Sequence, residues 1–113
     1  MTTVTQTQLI APAAISTADN VLFTVPGQTT IKIGRAVFIN TSTVADTITA
    51  AITTGGAIGP GTELIAGRPI APGESYVSPE LAGAVAPAGS QIRAVHSVGS
   101  ASITFTVSGL TIV

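Results

Sequence analysis

The chain has a single histidine, His96, and its acid partners would have to come from Asp46, Glu63, Glu74 or Glu80. An imidazole with one carboxylate makes an acid/base pair, and with two it makes a metal site. The acids are dispersed, and spacing alone does not bring any of them to His96. His96 also shares strand parity with Ile92 and Ala94, so a packed or edge histidine is the simpler reading. Gly56 and Gly61 stand at the glycine spacing of a phosphate-binding loop, but Thr62 occupies the place of its lysine and no helix opens after it. No G-x-S-x-G elbow, H-E-x-x-H pair or EF-hand loop occurs, and Cys 0 removes thiolate chemistry and disulfides. Tyr76 is the single tyrosine and Trp is 0, which disfavours an aromatic platform for sugars or bases. The residues predict no enzyme, no cofactor and no metal.

What the composition favours is assembly. Only 8% of the 113 residues are charged, while 45% are hydrophobic; an ordinary soluble domain has about 25% charged residues. Thr, Ser, Ala and Gly supply the surface that Lys and Glu normally supply, so neighbours are expected to cover part of it. The four basic residues, Lys32, Arg35, Arg68 and Arg93, are scattered, and the net charge is -1. No nucleic-acid partner is expected from that distribution. Apolar runs break before the roughly 18 residues that a membrane helix needs, so no membrane partner is expected either. Met1 to Gln6 lacks the charged and apolar regions of a secretory signal, and the predicted place of synthesis is a cytoplasm.

The elements that must position these residues are short strands. Residues 1–18 read as an N-terminal arm with one short strand, able to dock on a neighbour through Val4, Leu9 and Ile10; residues 19–113 read as one domain. Alternation predicts strands at 21–25, 31–39, 46–53, 62–70, 75–77, 91–97 and 103–112, joined by Pro26-Gly27, the glycine loop 55–61 and Pro72-Gly73. Asn40-Thr41-Ser42 has the form of a glycosylation sequon but reads as a turn. Arg35 falls on the apolar parity of Ile31, Ile33, Val37 and Ile39, and there needs a carboxylate or the end of the sheet. Ser78-Pro79-Glu80 is a helix-start signal, predicting a short helix over 79–85. Leu110 and Ile112 lie on the opposite parity to Ile103, Phe105 and Val107, which predicts a bulge at Gly109. The fold class that results is all-β, an antiparallel β-sandwich of Greek-key or jelly-roll type with one short helix near 79–85.

Leu22-Phe23-Thr24-Val25-Pro26, Val37-Phe38-Ile39-Asn40, Ile70-Ala71-Pro72-Gly73-Glu74-Ser75-Tyr76, Pro79-Glu80-Leu81 and Gln91-Ile92-Arg93-Ala94 together resemble small β-sandwich structural proteins of tailed bacteriophages and prophages. These are turn and core residues of a scaffold and not a catalytic signature. Gly89-Ser90 departs from the Gly-Asp that such proteins often carry before the next strand. The resemblance implies a virion protein made in the bacterial host cytoplasm, first of all a capsid decoration or cement protein. A tail, baseplate or fibre-attachment protein is the alternative, and a carbohydrate-binding module using loops 41–46 and 55–61 is a more distant one. The partners expected are a homo-oligomer, trimer or dimer, and the major capsid protein or another virion protein. Val4, Leu9 and Ile10 are the expected arm contacts, and Arg35, Arg68 and Arg93 the expected polar contacts.

Overall fold

Alternating apolar and β-hydroxy residues give nine strands in a computed structural model that describes residues 3–19, 21–54, 58 and 63–113. They are β1 (Val4–Ala14), β2 (Val21–Thr24), β3 (Thr30–Asn40), β4 (Asp46–Thr53), β5 (Glu63–Ile70), β6 (Ser75–Val77), β7 (Val85–Ala86), β8 (Gln91–His96) and β9 (Ile103–Ile112). Two antiparallel sheets result. The first runs β1-β9-β3-β6, with β7 also on β3, and the second runs β2-β8-β4-β5. The segment expected to be an arm with one short strand forms the 11-residue β1, paired along β9. Among the described residues no helix is long and apolar enough to cross a membrane. Except for Ile58, the glycine loop 55–61 lies outside the described residues.

The sheets share one apolar core in a β-sandwich-like arrangement. Phe38 and Phe105 face each other across β3 and β9 with ring centroids 4.1 Å apart and planes 14° apart, and Ile48, Ile65, Ile70 and Ile92 meet them from the second sheet. Full burial of each such side chain contributes about 1.5–3 kcal/mol. Asn40 is also fully buried. Its amide donates to the carbonyls of Val44 (2.8 Å) and Ile70 (3.3 Å) and its oxygen accepts from the Ser42 amide (3.0 Å), so the sequon is a turn whose asparagine is inside.

The expected helix over 79–85 does not form. Its start signal works: the Ser78 hydroxyl accepts from the Leu81 amide at 3.1 Å, and the Ser78 carbonyl accepts from the Ala82 amide at 3.3 Å. One turn later Gly83 takes a left-handed φ of 82°, the usual stop just past a helix end. Pairing with β3 then takes the rest. Gly83 donates to the Ile33 carbonyl, the Ala84 carbonyl accepts from the Ile33 amide, and Val85–Ala86 pairs with Lys32 and Ile31. A seven-residue helix would forfeit those sheet hydrogen bonds. Ser78→Ala should still lower stability by about 1 kcal/mol through loss of the cap, read as a lower urea midpoint at unchanged slope. An unchanged midpoint would mean that the cap contributes nothing.

The bulge expected at Gly109 sits on the neighbouring strand. The β3–β9 register shifts between Ile33 and Arg35, leaving Gly34 as the extra residue opposite Gly109 and Ser108. Burial accordingly changes parity within β3: Ile31 and Ile33 point inward before Gly34, and Ala36, Phe38 and Asn40 after it. Arg35 thereby leaves the apolar parity and is exposed without a carboxylate partner among the described residues. One face of β3 is turned to the core, and Val37 and Ile39 on the other are half-exposed. In β9 the odd residues from Ile103 to Gly109 stay inward, and Leu110 and Ile112 remain on the outer face. In the Pro26-Gly27 turn the left-handed residue is Gln28 (φ 61°).

Candidate functional site

Two features stand apart from the ordinary core: a buried Asp46–His96 pair and the outer face of the first sheet. β4 and β8 run antiparallel with Ile48 opposite His96. Asp46 shares the inward parity of Ile48 and Ala50, and His96 that of Ile92 and Ala94, so both ionisable groups are turned into the same end of the sandwich. His96 Nδ1 lies 2.7 Å from Asp46 Oδ2, with side chains 5% and 0% exposed. Nε2 lies 3.1 Å from the Ile15 carbonyl oxygen. Both neighbours are acceptors, so only the doubly protonated ring donates to both.

Asp46 has further donors. Its Oδ1 accepts from the backbone amides of Thr47 (2.6 Å), Val98 (2.9 Å) and Ser97 (3.1 Å). Burial pushes the carboxyl toward its neutral form, but the bonds from Thr47, His96, Val98 and Ser97 outweigh it and hold the pKa below the ordinary 3.8. The pair therefore clasps the β1–β2 connection to the second sheet, with the His96 amide adding a 3.2 Å bond to the Ser16 carbonyl. As chemistry it is closed. The nitrogen that would take a proton from a nucleophile points at a backbone carbonyl, no group of three metal-ligating side chains occurs among the described residues, and no pocket opens there.

A smaller polar cluster lies where β5 and β6 end their sheets. The Arg68 guanidinium sits 4.3 Å from the centre of the Tyr76 ring, and the Tyr76 hydroxyl donates to Glu80. That hydrogen bond is the main reason the Glu80 pKa is lowered, while burial and then the same bond raise that of Tyr76. The other arginine of the second sheet, Arg93, pairs instead with Asp19 at 3.1 Å.

The outer face of the first sheet follows from register. Val4, Ile112 and Thr30 form one cross-strand row; Gln6, Leu110, Lys32 and Val85 the next; then Gln8, Ser108 and Arg35; then Thr106, Val37 and Val77. Val4, Val77 and Val85 are at least half exposed. Among the described residues Lys32 and Arg35 are the only charged side chains of this face, and no Asp or Glu lies on β1, β3, β6, β7 or β9. The expected contact residues divide accordingly. Val4 and Arg35 share this face, Leu9 is half-buried, and Ile10 belongs to the core. Arg68 lies at the β5 edge, and Arg93, held by Asp19 and Gln91, lies in the second sheet. The sequence named Asp46 among four possible acid partners of His96 without placing any of them; inward parity on both strands was the signal that singles it out.

No known protein family, curated protein or solved structure matches this chain.

Proposed function

We propose that this chain is a multi-copy structural subunit of a tailed-phage virion, seated on the head shell as a decoration or cement protein, with its strands connected in Greek-key or jelly-roll order. The observation that carries the reading is the outer face of the first sheet, which exposes Val4, Val77 and Val85 among uncharged polar residues such as Gln6, Gln8 and Ser108 and holds Lys32 and Arg35 with no Asp or Glu on its strands among the described residues. Covering such a face buries its apolar rows, and a partner that brings carboxylates to Lys32 and Arg35 would offset the desolvation of those two cations. The sequence resemblance to phage structural proteins supports the same reading. The major capsid protein is the proposed occupant of this face, in virions assembled in the bacterial cytoplasm. Repetition strengthens each small contact, since neighbours on a shell hold one another at high effective concentration.

Peptide quantification on purified particles that encode this sequence tests the proposal. Hundreds of copies per particle are expected. A copy number of a few would place the chain in the tail or baseplate, and absence from the particle would remove the virion reading altogether.

A further inference from the structure

The strand that leads into this face also has an unpaired backbone edge. Thr3 and Val113 exchange both amide hydrogen bonds, at 2.9 and 2.8 Å, and the register runs unbroken from Val4↔Ile112 to Gln8↔Ser108. Antiparallel pairing alternates, so Thr3, Thr5 and Thr7 bond to β9 while Val4, Gln6 and Gln8 aim their N–H and C=O groups away from it. No hydrogen bond among the described residues uses those groups, and all three residues are exposed.

The other edges of the two sheets are blunted. β2 has four residues and is flanked by the Asp19–Arg93 ion pair. β6 and β7 have three and two residues. β5 carries Glu63, Arg68 and Pro69, and its pairing with β4 breaks register twice. Proteins protect sheet edges with short strands, charges, prolines and bulges. Val4 to Gln8 has none of these, and residues 1–18 contain no Lys, Arg, Asp or Glu.

We infer that the Val4–Gln8 edge pairs antiparallel with the same edge of a second copy, joining the two first sheets into one continuous sheet across a twofold axis. A neutral strand meets its own copy without like-charge repulsion. Centred on Gln6, the pairing sets Gln6 against Gln6 of the other copy and Val4 against Gln8, each exchanging N–H and C=O. A glutamine amide both donates and accepts, so it is complementary to itself. The contact is isologous and closes at two subunits, which selects the dimer from the dimer or trimer expected. It also carries the rows of the outer face across the axis. The inference deepens the oligomeric part of the virion reading, but is tested without any particle.

Sedimentation equilibrium of the full chain should report a dimer. Gln6→Pro removes an N–H that faces the edge and none that bonds to β9, so this variant should sediment as a monomer with an unchanged circular dichroism spectrum. Gln6→Lys, which leaves the backbone intact, places like charges opposite one another and should weaken the dimer about tenfold at low salt, with partial recovery at high salt. Since the chain has Cys 0, Gln6→Cys should give a disulfide-linked dimer on mild oxidation; opposed residues in such a pair stand about 5.5 Å apart at Cα, within disulfide reach. A monomeric or trimeric parent overturns the inference. So does a dimer unaffected by Gln6→Pro with its fold retained; if that variant unfolds, an unaffected Gln6→Lys dimer overturns it. Particle occupancy fails or succeeds separately, so loss of one reading leaves the other standing.

Discussion

Gly109→Ala should destabilise the protein by about 3 kcal/mol or more, at the upper end of what overpacking costs. β9 is held between β1 and β3, and Gly109 is buried at the point where Gly34 bulges toward it. A Cβ there would overlap the Lys32 carbonyl oxygen outright and would stand 3.0 Å from the Gly34 nitrogen and 3.1 Å from the Ile33 Cα. All three are backbone atoms in the centre of a sheet, so relief requires β3 and β9 to separate. Gly34→Ala is the control. Its Cβ would make ordinary contacts, 3.5 Å from the Ser108 oxygen and 3.6 Å from the Gly109 Cα, and since alanine loses less backbone entropy than glycine on folding, its effect should stay within about 1 kcal/mol of neutral. Urea unfolding of both variants reads the difference. Equal midpoints would mean that the close approach of the two strands is not fixed.

Asp46→Ala should cost about 3 kcal/mol, because it strips a buried histidine and the amides of Thr47, Ser97 and Val98 of one shared acceptor. Asp46→Asn should cost less. Its oxygen serves the same amides, and its NH₂ donates to Nδ1 of a neutral ring whose Nε2–H still reaches the Ile15 carbonyl. The pH dependence has a definite sign. The folded-state pKa of Asp46 lies below its ordinary 3.8, so the charged form's stabilisation is fully present above 3.8 and is lost as pH falls through the lower folded value. The advantage of the native protein over Asp46→Asn should therefore hold at neutral pH and shrink below about pH 4. An advantage that persists unchanged to pH 2 would show that the carboxylate's charge is not what stabilises the clasp.

How far such features could be read from sequence depended on whether the signal was local. Ile48 and Ala50 alternate with Thr47 and Thr49, and that period marked β4 without tertiary knowledge. The Ser78 cap was also legible. What stopped the helix was competition: Gly83 and Ala84 bond to Ile33, some fifty residues away in sequence, and no local pattern announces that. Gly34 was hidden differently, since Ile31, Ile33, Val37 and Ile39 imitate a single uninterrupted face. Arg35 was the residue that did not fit, and its misfit marked the neighbourhood of the bulge. Asp46 and His96 each carried the correct parity, but only the β4–β8 register puts them side by side.

Gly34 also divides β3 as evolution would experience it. Before it, selection for volume acts on Ile31 and Ile33; after it, on Ala36, Phe38 and Asn40, while Val37 and Ile39 answer to whatever lies outside the fold. A lineage that lost this one codon would present the second half of the strand inside out, offering Phe38 to its neighbours and Val37 to its core. The residue thus fixes a reading frame of a structural kind, in which the phase of burial, rather than of translation, must be preserved.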